Sequence, residues 1–196
     1  MTHYTRRRNK NSYIFPAISA AVLCGLFIFT LYQLFTTKKT INDQLIAQQV
    51  HELASIFKRI NDTCHITKFK HEKNYIDFLN TRAFEGSEVG PMVVMFPKKW
   101  QGPYLHDNFT IQDQYYQILN TKYGYFIVPG DGVKLSNNKI IGKDIILNHD
   151  TDIPAMINDK NMLLFENKPL AAPIDVKTSV ITGVVSEAIL DMQTAD

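Results

Sequence analysis

Apolar and polar positions divide the chain into three stretches. From Tyr13 to Phe35 no residue is charged, and Ile14–Leu31 is apolar apart from Pro16, Ser19, Gly25 and Thr30. At about 1.5 Å per residue, a helix over these positions reaches across a hydrocarbon core of roughly 30 Å. Pro16 falls in the first turn, where its missing N–H costs little, and Tyr13 and Tyr32 fall where interfacial rings are favoured. The run is longer than the apolar core of a cleaved signal peptide, and Leu34-Phe35-Thr36-Thr37-Lys38 offers no small-residue cleavage site. The pattern predicts a single transmembrane helix over 13–35.

The second stretch changes period. Ile46, Val50, Leu53, Phe57, Ile60 and Cys64 are spaced alternately by four and three, which places them on one face of a helix. Leu45 and Ile56 widen the stripe, while Gln48, Gln49, Glu52, Lys58 and Arg59 take other faces. No Pro or Gly interrupts residues 26–83, so the span and an amphipathic stalk over 36–65 are expected to form one helix of about 50 residues. The stripe has two readings, a partner-binding seam through Ile46, Val50, Leu53, Phe57 and Ile60, or a face packed on the chain's own body.

Residues 66–196 read as a small mixed domain. Tyr75–Leu79 suggests a helical turn, Gly86 and Gly90 mark loops, and Met92–Phe96 is a short apolar strand between prolines. Phe109–Leu119 and Tyr123–Val128 are rich in aromatic and β-branched residues. Pro129-Gly130-Asp131-Gly132 then predicts a hairpin loop leading to Val133–Leu135, and Asn137-Asn138 a further turn before Lys139–Leu147. Residues 176–192 fit helix and strand alike. Three or four antiparallel strands against the end of the long helix give an α+β fold.

Charge gives the layout an orientation. No acid occurs in residues 1–35, while Arg6, Arg7, Arg8 and Lys10 do. Subtracting these four from 21 basic residues leaves 17 against 19 acidic, a net of −2 beyond residue 35. The basic excess thus belongs to a tail over 1–12, and a nucleic-acid-binding body is disfavoured. With four basic residues before the span and Lys38 and Lys39 just after it, the positive-inside tendency puts the tail in the cytoplasm and the body outside. The expected location is a bacterial inner membrane, single-pass, with a periplasmic C-terminal domain. Cys24 and Cys64 then lie in different compartments, which leaves only an interchain disulfide open at Cys64.

The segment Trp100-Gln101-Gly102-Pro103-Tyr104-Leu105 adds a motif. Gly-Pro forces a turn, and Trp and Tyr can hold that turn on a core. It is similar to the W-x-G-P-Y-L segment of major pseudopilins, and with the long helix and small sheet the chain resembles the type IV pilin and type II secretion pseudopilin superfamily. The six residues match the motif, and the architectural likeness covers about residues 14–147. The resemblance implies a pilin-like structural component of secretion or pilus machinery, with other envelope-machinery proteins or further copies of itself as partners. The prepilin cleavage motif, the acidic residue that usually follows it and the D-P-W-G-x-x-Y segment are all absent.

No residue set assembles into a catalytic site. Ser55-Ile56-Phe57-Lys58 matches S-x-x-K, but on the stalk and without S-D-N or K-T-G. Cys64, His65, His71 and Glu72 lack the repeated spacing of a zinc site. His149, Asp150, Asp152 and Asp159 are oxygen-rich as calcium ligands are, without an EF-hand pattern; some major pseudopilins bind calcium in a late loop. Gly130-Asp131-Gly132 is not a phosphate loop. Tyr115, Tyr116, Tyr123, Tyr125 and Phe126 form a binding platform only if alternation does not bury half of them. The expectation is a non-enzymatic protein without metal or cofactor; a tethered periplasmic ligand-binding domain or enzyme is the alternative.

Overall fold

The computed structural model describes residues 14–176, without the side chains of residues 14, 15, 17 and 34–40. The tail over 1–12, Tyr13 and nearly all of the ambiguous segment 176–192 lie outside the described residues. The first element, α1, runs from Ile14 to Cys64 as one helix of 51 residues, as the absence of Pro and Gly over 26–83 led us to expect. The chain divides into two compact units, Met1–Ile41 and Asn42–Asp196.

In the first unit the described side chains from Ile18 to Gln33 are all exposed. Two hydroxyls there bond within the helix, Ser19 Oγ donating to the Pro16 carbonyl at 3.0 Å and Thr30 Oγ1 to that of Leu26 at 2.7 Å. Among the described residues no helix is long and apolar enough to cross a membrane. The expectations of a single transmembrane helix, of a single-pass membrane protein and of an inner-membrane location with a periplasmic body are corrected accordingly.

The second unit is α+β. After α1 come β1 (Ile66–Phe69), β2 (Lys73–Tyr75), β3 (Glu88–Val89), β4 (Met92–Val94), a 3-10 turn at Pro97–Lys99, β5 (Thr110–Ile111), β6 (Gln114–Tyr115), β7 (Gln117–Thr121), β8 (Gly124–Val128), α2 (Ile153–Met156), β9 (Leu164–Phe165), β10 (Lys168–Pro169) and β11 (Ala172–Ile174). The main sheet has the order β11-β8-β7-β2, a second sheet has β1-β4-β3, and β5-β6 and β9-β10 are separate hairpins. All of these strand pairs are antiparallel. The apolar stripe of α1 closes the core over this unit. Phe57 lies edge-on to Phe69 and Phe78, at 6.1 and 6.3 Å between ring centres, and the buried stripe joins Ile118, Leu119 and Ile127 of the main sheet in one cluster.

The end of α1 shows how local chemistry fixes the first connection. His65 takes a left-handed conformation (φ 54°) directly after the helix, the usual way to stop a helix and turn the chain. Asn61 Oδ1 accepts the N–H of Ile66 at 2.9 Å, while its Nδ2 donates to the Asp175 carbonyl at 2.7 Å. One side chain thus caps α1 and ties down the chain just after β11. The same edge strand carries Pro173, which has no N–H to offer a further strand.

Several local expectations change. Tyr75–Leu79 is not helical; Tyr75 ends β2, and Ile76, Phe78 and Leu79 enter the core as irregular chain. Phe109–Leu119 is broken by a two-residue turn in which Gln112 and Asp113 both have positive φ, 51° and 62°, the geometry of a tight hairpin that the sequence lacks the usual Asn-Gly to announce. Val133–Leu135 does not pair with β8. It pairs across the Asn137-Asn138 turn, with Lys134 opposite Ile140 and the Leu135 N–H donating to the Lys139 carbonyl at 2.9 Å.

Candidate functional site

The proposed seam lies inside the second unit. Ile46, Val50, Leu53, Phe57 and Ile60 have no exposed surface, so this face is covered by the chain's own body. Cys64 continues the stripe and is equally buried, out of reach of an interchain disulfide in this structure. Of the two readings of the stripe, the packed one describes what surrounds these side chains.

The Trp100–Leu105 segment is a folded knot packed against the core. Trp100 Nε1 donates to the Thr81 carbonyl at 3.0 Å, and its ring meets Phe84 and Tyr104 edge-on at 5.3 and 4.8 Å. The N–H groups of Tyr104 and Leu105 donate to the Leu79 carbonyl at 2.8 and 3.2 Å. Arg59 of α1 lays its guanidinium over the Tyr104 ring at 4.8 Å. Gly102, which precedes Pro103 through a cis bond, is required by close approach, since a Cβ there would stand 2.4 Å from both the Thr81 carbonyl oxygen and Trp100 Nε1. Gly-Pro as the turn and Trp and Tyr as its anchors are thus read correctly from the motif.

In the first unit α1 displays large apolar side chains with nothing described against them. Leu23, Phe27 and Ile28 are each about two-thirds exposed, and Val22, Leu26 and Phe29 more than half. Patches of this kind on a folded chain mark surfaces that associate.

A cleft of the body with polar lining includes Asp43 of α1. Asp43, 1% exposed, accepts the Ser136 N–H on both carboxylate oxygens, at 3.2 and 3.0 Å, and accepts the Ser136 hydroxyl as well. Loss of solvent raises the Asp43 carboxyl above its ordinary value of 3.8, and the two donors of Ser136 pull the other way without cancelling that effect. Asp43 borders a cleft of about 400 Å³ whose walls include Lys160, Leu164, Phe165, Glu166 and Leu170. The β9-β10 hairpin turns through Glu166 and Asn167, both at positive φ. A second hollow of about 490 Å³ separates Lys168 of this hairpin from Gln44, Gln48 and His51 of α1. Six residues beyond Asp43 on α1, Gln49 Oε1 accepts the hydroxyl of fully buried Tyr116 at 2.7 Å, and burial pushes that phenol far above its usual range.

Sequence reasoning did not single out Asp43, yet a signal was present. Position 43 lies three before Ile46 and so extends the alternating stripe, which makes it a charged residue at an apolar-face position.

The remaining constellations resolve into ordinary contacts. Ser55 Oγ donates to the Glu52 carbonyl at 2.7 Å on an exposed face of α1. Asp152 caps α2 by accepting the Ala155 N–H, and Asp159 accepts the N–H of Asn161. The His149 N–H donates to Glu72 Oε1 at 2.9 Å, and Lys122 faces Asp150 at 3.8 Å. Among the described residues no three His, Cys, Asp or Glu side chains are grouped to hold a metal ion. The aromatic set is divided, with Tyr116 and Phe126 in the core and Tyr115 and Tyr123 outside. Asn108 donates to the Asp77 carbonyl and accepts the Leu79 N–H.

No family model, curated protein or solved structure matches this chain.

Proposed function

We propose that this protein is a non-enzymatic, pilin-like structural and interaction component of an envelope assembly, of the secretion or pilus kind. The observation that carries the reading is the run of exposed apolar side chains on α1 in the first unit, from Ile18 to Tyr32. Surface of that size and character calls for cover, and other protein subunits supply it. The amphipathic remainder of α1 closing an antiparallel body, and the Trp100–Leu105 knot against it, agree with the resemblance to pseudopilins. The buried stripe leaves partner contact to the exposed part of the helix.

A photo-reactive residue placed at Leu23 or Phe27 tests this in living cells. Covalent adducts to a second copy or to another envelope protein are expected at both positions, and none from a control position such as Lys143. Efficient labelling without any protein adduct at either position would overturn the proposal.

A further inference from the structure

The body holds a buried carboxylate, Asp43, that has no cationic partner among the described residues. Among the described residues the ion pairs join Lys70 to Glu88, Lys73 to Asp131, His106 to Asp107 and Lys122 to Asp150; none includes Asp43. Ser136 supplies two neutral donors, one N–H shared by both oxygens and one O–H, against roughly four acceptor positions on a carboxylate. A charge withdrawn from water and met only by neutral dipoles is costly, and buried carboxylates are ordinarily paired with a cation.

Asp43 is among the residues lining a cleft. The cleft beside Asp43 has a volume of about 400 Å³, within the range of small-molecule sites. Leu164, Phe165 and Leu170 give it an apolar wall, while Lys160 and Glu166 are exposed and place one charge of each sign around it. We propose that this cleft binds a small ligand carrying a primary ammonium on an apolar body, the ammonium donating to Asp43 and the apolar part resting on Leu164, Phe165 and Leu170. A compact ammonium fits an acceptor whose other positions are taken by Ser136. An acid of the same shape would meet Asp43 with like charge, and a purely apolar molecule would leave the carboxylate unpaired.

Phenethylamine and 3-phenylpropionate, which share an aromatic body and differ in charge, are the probes. With the full-length protein, calorimetry and thermal shift should register phenethylamine and not 3-phenylpropionate. Asp43→Asn, checked for fold by circular dichroism, should weaken phenethylamine binding by about tenfold or more, a charge-assisted bond being worth roughly 1.5–3 kcal/mol. Lys160→Ala removes a like charge from the cleft and should tighten binding about twofold or more. Absence of phenethylamine binding, equal response to 3-phenylpropionate, or undiminished affinity in folded Asp43→Asn would each overturn the proposal. Should Asp43→Asn not fold, the exposed Lys160 position decides: tighter binding supports the site, whereas unchanged or weaker binding shows that Lys160 is no competitor for Asp43 and sinks it.

Discussion

Asp43 and Ser136 are 93 residues apart in sequence and joined by three hydrogen-bond contacts, the Ser136 N–H to both carboxylate oxygens and its hydroxyl to one. The pair fastens the Val133–Ile141 turn to the part of α1 that belongs to the second unit. Because burial raises the Asp43 carboxyl above 3.8, the folded state holds this proton more tightly than the unfolded chain does.

That fixes the sign of a pH effect. Where the folded protein binds more protons, stability falls as pH rises. Asp43 therefore favours folding when protonated, and its contribution declines as pH climbs from 3.8 towards the higher folded value. Other carboxylates act in the same range, so the difference between wild type and Asp43→Asn isolates the effect. That difference should shift in favour of the Asn variant as pH rises through the carboxylate range and beyond, measured by urea denaturation at a series of pH values. A difference that shifts the other way, or not at all, would contradict a desolvated Asp43.

Leu53 has no exposed surface and sits mid-stripe. Leu53→Ala should cost about 2–5 kcal/mol through lost burial and the cavity left behind. Leu53→Asp should unfold the body, because an unpaired charge in this core has no compensating partner. Near-ultraviolet circular dichroism and calorimetric melting give the readout, and an unchanged melting temperature for Leu53→Asp would show that the stripe is not core.

Gly102→Ala drives a methyl group into the Thr81 carbonyl and the Trp100 indole. The expected cost is about 1–3 kcal/mol, as for other overpacked sites. Trp100 is the only tryptophan in the chain, so its fluorescence reports directly on the knot. A red-shifted emission should accompany the loss of stability, and wild-type emission with wild-type melting would refute the packing described.

Asn61→Ala removes the cap on the Ile66 N–H and the tether on the Asp175 carbonyl together. About 1–3 kcal/mol should be lost, since both groups are left without their partner. Hydrogen exchange should speed up at Ile66 and in β11. Exchange unchanged at both places would mean that Asn61 holds neither.

The alternation of three and four from Ile46 to Cys64, with no helix breaker over 26–83, determined by itself that α1 is one continuous helix with an apolar face. Trp100–Leu105 likewise announced its turn and its anchors, because Gly-Pro and the flanking rings act within six residues. The uncharged run over 13–35 was equally plain, but its reading as a membrane span went beyond it, since hydropathy records composition and not what surrounds a side chain. What covers the stripe was decided only in three dimensions, by Phe69, Phe78 and the main sheet, which lie later in the chain. The same holds for the partner of Val133–Leu135, which turned away from β8, and for the hairpin at Gln112-Asp113, whose positive φ values no glycine or asparagine foretold. Asp43 to Ser136 and Asn61 to Asp175 close loops of 93 and 114 residues. Periodicity is a property of neighbours along the chain; pairing across such distances depends on the whole fold being in place.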